Sequence, residues 1–153
     1  MKIDDLLQSE DGYSAMLDLA VHLAEKAAVH TEDGLSHPEQ TIRLAMWIEC
    51  QVCNGGWEQW LFNTSTEGIR RTLKALAEIP SPYIVALAEQ AVAIASIHPE
   101  QDSDDIREQK LNSLTEQTRK QLEPLDAAFY SQVEAFVEQC RQYALKHKDL
   151  ISW

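Results

Sequence analysis

Long stretches free of glycine and proline constrain this chain more than any other feature. Five Gly and five Pro punctuate 153 residues, and the segments between them are rich in Ala, Leu, Glu and Gln, which lose little side-chain freedom in a helix. The pattern predicts an all-α fold, a single domain over residues 1–153 built as a bundle of about six to eight helices. With 44% hydrophobic and 25% charged residues, the chain can fill a core, and its composition is far from that of a disordered one.

The punctuation places the elements. From Tyr13 to His30, the residues Leu17, Ala20, Val21, Ala24, Ala27 and Ala28 recur at steps of three and four and share the apolar face of an amphipathic helix. A second long helix is expected over Pro38–Cys53, stopped by Asn54-Gly55-Gly56 because Gly tolerates positive φ. A short helical segment with Trp57, Trp60 and Phe62 follows, then a cap at Asn63-Thr64-Ser65 and a helix over Thr66–Ile79. The helix Tyr83–Ile97 is apolar on most sides and is expected to be the most buried. A charged helix runs toward Leu122, Pro124 breaks it, and a last amphipathic helix covers Asp126–Lys146.

Charge narrows the function. Thirteen Lys and Arg against 25 Asp and Glu give a net charge of −12, a field that repels nucleic acid and anionic lipid and attracts basic surfaces. Direct nucleic-acid binding is therefore not expected, nor is membrane insertion, since no apolar run approaches the roughly 18–20 residues of a span. No export signal is visible, and three cysteines do not make a disulfide framework, so a cytoplasmic location is expected. Residues 1–69 hold twelve acids against three bases, while residues 70–153 hold thirteen against ten. Asp4, Asp11, Asp18, Glu25, Glu32 and Glu39 fall at steps of seven. Seven residues of helix rise about 10.5 Å, close to three steps of about 3.4 Å along a DNA strand. A row of carboxylates can approximate a sparse row of phosphates. A second acidic knot gathers Glu100, Asp102, Asp104 and Asp105.

Catalytic and metal motifs are sparse. Cys50 and Cys53 form a CxxC pair, but at the C-terminal end of a helix, where the dipole disfavours thiolate; they read as buried small apolar residues. The five histidines have no metal-ligand spacing and read as surface or capping residues, and no phosphate loop or nucleophile elbow is present. The chain is expected to be no enzyme and to need neither metal nor cofactor.

The stretch Asn54, Gly55, Gly56, Trp57, Gln59, Trp60, Phe62 and Asn63, with Thr64-Ser65 behind it, resembles a bacterial domain family of largely unknown function that includes a DNA mimic protein. The likeness covers about Trp47–Ile97. It implies an all-helical fold and, in the mimic, a dimer whose acidic surface imitates double-stranded DNA toward a DNA-binding regulator. The motif residues themselves have structural reasons: Gly for a helix stop, Trp and Phe for the core, Asn63 for a cap. The expected function is thus an acidic binding protein that blocks the basic, DNA-contacting surface of a partner such as a transcriptional regulator. Asp11, Asp18, Glu25, Glu32, Asp33 and Glu39 are the expected contacts, and a homodimer stays open. The alternatives are an immunity- or antitoxin-type module with an apolar-centred contact, and a small-ligand or enzymatic site near Gln59, Trp60 and Asn63.

Overall fold

Packing follows from where the apolar side chains fall on seven helices. The computed structural model describes residues 2–153, the Glu32 side chain excepted. In chain order the helices are α1 (Ile3–Leu7), α2 (Gly12–His30), α3 (His37–Asn63), α4 (Thr66–Leu76), α5 (Pro82–Ile94), α6 (Asp104–Asn112) and α7 (Glu116–Lys146). Single 3-10 turns occupy Glu32–Gly34 and Lys148–Leu150. Among the described residues there is no strand, and no helix is long and apolar enough to cross a membrane.

Polar side chains at the helix starts explain most boundaries. Asp11, Ser36, Ser65, Ser103 and Thr115 each accept a backbone N–H from the first turn they precede, supplying partners for donors that have none within the helix. Asn63 is not a cap; its carboxamide donates to Gln51 at 2.8 Å, and Ser65 does the capping. Nor does Pro124 break a helix. The interruption lies at Ser113–Thr115, where Thr115 starts α7, and α7 runs through Pro124 without stopping. Proline deprives only the Lys120 carbonyl of its intrahelical partner, and both residues are exposed, so water can fill the place.

The core is organised around α3 rather than α5. Ile42, Ala45, Ile48, Val52, Trp57, Trp60 and Leu61 of α3 are all without solvent exposure, and α3 packs against α2, α4, α5 and, most extensively, α7. α5 covers one side with Ile84, Leu87, Ala88 and Ala91, while its Tyr83, Glu89, Gln90 and Ala93 face solvent. An edge-to-face aromatic chain joins α3 to α7: Trp57 meets Trp60 at 5.4 Å and Phe129 at 5.6 Å between centroids, and Phe129 meets Phe136 at 6.0 Å. Such pairs add to what their buried area contributes.

The glycine pair breaks α3 as expected, and the helix resumes at once. Gly56 has φ 75° and ψ −178°, a region open in practice to glycine alone. Backbone groups orphaned by the break find partners on α7: Asp126 Oδ1 accepts the Trp57 amide at 2.8 Å, and the Tyr130 hydroxyl donates to the Val52 carbonyl at 3.1 Å. The Trp57 indole N–H donates to the Leu125 carbonyl of the same helix at 3.2 Å.

Candidate partner-binding surface

α2 turns to solvent the face that the sequence assigned to its apolar side. Its buried residues are Ala15, Met16, Leu19 and Leu23; Leu17, Val21, Ala24 and Ala28 are exposed, and Ala20 and Ala27 are half-buried. The helix thus carries two apolar stripes, one in the core and one outside.

Carboxylates flank the outer stripe. Asp18 and Glu25 lie on it, exposed, seven residues apart on one helix, hence about 10.5 Å along its axis. Asp11 stands at the N-terminus, where the Ser14 hydroxyl at 2.6 Å and the Ser14 amide at 3.0 Å hold its carboxyl below the usual range, the hydroxyl being the larger influence. Asp33 is exposed on the turn after α2. The side chain of Glu32 lies outside the described residues. Sequence reasoning passed over Asp5 and Glu10, both exposed near the start of α2; they fall outside the seven-residue series and become visible only once the short α1 is seen to precede α2.

Glu39 departs from its expected place. It is 1% exposed and receives two hydrogen bonds of 2.8 Å from the Lys26 ammonium, with further ones from the Ser36 and Ser152 amides. Burial works against the ionised form, but these donors together hold its pKa below the ordinary glutamate value. Its role is to complete the capping box of α3 and to tether the C-terminal residues, so it contacts no partner directly. His22 adds to the tether through the Ser152 carbonyl at 3.0 Å and ring contact with Trp153.

Ion pairing separates the carboxylates around α2 from those of the second acidic knot. Among the described residues, Asp5, Glu10, Asp11, Asp18, Glu25 and Asp33 are exposed and have no cation within ion-pair distance; Lys26, the cation of α2, is taken by Glu39, and Asp4, the first acid of the seven-residue series, pairs with Lys148 at 2.6 Å. In the acidic knot, by contrast, Asp102 pairs with Lys110 at 2.6 Å, Asp104 with Arg107, and Glu100 lies 3.9 Å from Arg70. Glu58 pairs with Arg119 and Glu138 with Arg141. The knot is largely neutralised.

The glycine–aromatic stretch forms a separate open cleft of about 570 Å³, lined by Asn54, Gly55, Glu58, Gln59, Phe62 and Asn63. Its carboxamides are engaged with one another: Asn54 donates to Gln59, and Gln59 and Asn63 both donate to Gln51 Oε1. Phe62, expected in the core, is 44% exposed, while Trp60 is fully buried and lines nothing. The carboxyl held above its usual range mainly by burial, Asp126, is used on the Trp57 amide. Cys50 and Cys53 are exposed, against the expectation of burial, and only Cys140 is in the core. Position 49 of the same turn faces inward instead, where Glu49 accepts the Tyr13 hydroxyl at 2.5 Å. The described residues contain no cluster of three or more metal-ligating side chains.

A family model described as DMP19-like protein matches residues 33–147, from the turn after α2 to the end of α7. Comparison with curated proteins found no match, and comparison with solved structures found none.

Proposed function

Because the chain belongs to the DMP19-like protein family, which points to DNA mimicry, we propose that it is an acidic DNA mimic that occupies the DNA-contacting surface of a DNA-binding protein, such as a transcriptional regulator, and blocks it. It acts by occupancy rather than by catalysis. The observation that carries this reading is the set of six exposed carboxylates around α2 that lack internal cations. A carboxylate already paired with a lysine has little left to offer a partner, whereas an unpaired one can replace a phosphate against an incoming Lys or Arg. All of α2 precedes the family match, and of the six carboxylates only Asp33 falls within it, so the reading rests on this chain's own charges as well as on its membership.

Many separated charges acting together give binding that weakens steeply with salt, as the screening length falls from about 10 Å at 0.1 M to about 3 Å at 1 M. The test is retention of host DNA-binding proteins on the immobilised chain at those two salt concentrations, with duplex DNA as competitor. Retention that is lost in high salt, displaced by duplex and abolished in Asp18→Asn/Glu25→Gln/Asp33→Asn supports mimicry. Retention indifferent to the triple substitution counts against it.

The outer stripe of α2 favours a second reading, a protein contact centred on Leu17 and Val21 with the acids as its rim, as in an immunity-type module or between two copies of the chain. Exposed apolar surface ringed by charge is common at such contacts. Under that reading Leu17→Ala/Val21→Ala costs more affinity than the triple neutralisation, and sedimentation of the chain alone distinguishes a second copy from a foreign partner.

A further inference from the structure

Cys50 and Cys53 are both exposed, three residues apart on α3 and just ahead of its break at Gly55 and Gly56. Helix geometry fixes the meaning of that spacing. Three residues advance about 4.5 Å and turn about 300°, so on a radius of about 2.3 Å the two Cα atoms stand about 5 Å apart. A disulfide spans roughly 4.4–6.8 Å between Cα atoms. Bridging successive turns asks the backbone to give a little, and the turn concerned is the last before Gly55, which already leaves helical geometry at φ −152° and ψ 21°. The third thiol, Cys140, is buried in the core and out of reach of solvent oxidants.

We propose that Cys50 and Cys53 are a modification site, forming a reversible disulfide within α3 on exposure to hydrogen peroxide. The Cys50 thiolate attacks a peroxide oxygen, the O–O bond breaks, and the sulfur becomes a sulfenic acid while the leaving hydroxide takes up a proton as water. The Cys53 sulfur then attacks the sulfenic sulfur, the S–S bond forms, and the second hydroxide leaves with the Cys53 proton as water. Two thiols lose two protons and two electrons in all, and one peroxide is reduced to two waters.

The surroundings assign the order. Partial burial, followed by the Glu49 carboxylate, pushes the Cys53 thiol up to about 11, which makes it the poorer first nucleophile and leaves it the resolving role, favoured by proximity. A bridge across one exposed helical turn is open to reductants, so the disulfide is reversible. The bridge would form beside the bond from Tyr13 to Glu49, a contact between the first turn of α2 and α3.

The test is peroxide treatment of the reduced full chain at neutral pH, native alkylation, and mass mapping. The expected result is an intact mass lower by two hydrogens, a Cys50–Cys53 cross-linked peptide, and alkylation at both sites restored by dithiothreitol. In Cys53→Ser the loss of two hydrogens gives way to added oxygen at Cys50, whereas Cys50→Ser, left with the poorer nucleophile, takes up little. Diamide on the unsubstituted chain, which should equally protect the pair from alkylation, gives a reading independent of how the variants fold. Thiols that stay alkylatable after either oxidant, or cross-links found only between two chains, overturn the proposal.

Discussion

Asp126 on α7 accepts the backbone amide of Trp57 at 2.8 Å across 69 positions of sequence, and so serves as the N-terminal cap of the part of α3 that follows the glycine break. The same carboxylate closes over Gly56: a Cβ built there would lie 2.6 Å from Asp126 Oδ2. Glycine at 56 is thus required twice, by its backbone conformation and by the side chain that caps its neighbour.

The two glycines are therefore not equivalent. Gly56→Ala forces a side chain into a region that costs of order 1–3 kcal/mol and pushes Asp126 off the Trp57 amide. Gly55 has negative φ, and the nearest atoms to an added Cβ belong to the Gln59 side chain, whose carboxamide can swing aside. Urea denaturation should show Gly56→Ala destabilised by more than about 2 kcal/mol and Gly55→Ala by clearly less. Equal losses would mean that the conformation at 56 is not what the position demands.

Asp126 also sets a pH dependence. Burial, chiefly, and then the Glu123 and Glu58 carboxylates raise its pKa above 3.8 in spite of the Trp57 hydrogen bond. A carboxyl with a higher pKa folded than unfolded binds more proton in the native state, so its contribution to stability declines as pH rises from about 4 toward the folded value. Asp126→Asn removes that titration. The stability of the unsubstituted chain relative to Asp126→Asn should fall over this range in denaturation curves taken at stepped pH, and a difference that stays flat would contradict the assignment.

The break in α3 was legible because glycine pairs carry their own conformational signature. Its partner was not, since nothing in the local pattern links residue 57 to residue 126. α2 shows the harder limit. Its sequence offers two stripes at helical spacing, Leu17-Val21-Ala24-Ala28 and Ala15-Met16-Leu19-Leu23, and periodicity alone does not say which one α3 and α7 will cover. Counting alanines as core favoured the stripe that faces water. Pro124 misled for a related reason: its effect depends on whether the carbonyl it deprives can reach solvent, and Thr115 was the stronger local signal for where α7 begins. Of the candidate contacts, Asp18 and Glu25 needed only helical spacing to be placed on one outer face. Glu39 needed Lys26 and Ser152, which reach it from elsewhere in the fold.

Glu39 should matter more to stability than any exposed acid. Removing one member of a buried ion pair strands the other and typically costs about 3–5 kcal/mol; Lys26 keeps 20% of its side-chain surface in water, so about 2–3 kcal/mol is expected for Glu39→Gln after discounting for screening. The sign with pH is opposite to that of Asp126. With a folded pKa below 4.5, Glu39 stabilises the native state above its unfolded value and loses that contribution as pH falls through the folded one. Glu39→Gln should also free residues 150–153, read as faster amide exchange at Ser152, whereas Glu25→Gln should leave both stability and exchange unchanged.

Trp60 and Phe62, two residues apart in the same motif, should respond very differently to truncation. Trp60 has no exposed surface and stacks edge-on against Trp57, so Trp60→Ala removes a large core side chain and leaves a cavity that the surrounding helices cannot fully close; such changes cost about 3–5 kcal/mol. Phe62 projects into the open cleft at 44% exposure, where truncation loses partial burial but leaves no closed cavity and costs about 1 kcal/mol. Thermal unfolding of the two variants separates a structural aromatic from one that is free to meet a partner. If Phe62→Ala destabilises as much as Trp60→Ala, then Phe62 belongs to the core in solution and the cleft beside Gln59 and Asn63 is closed.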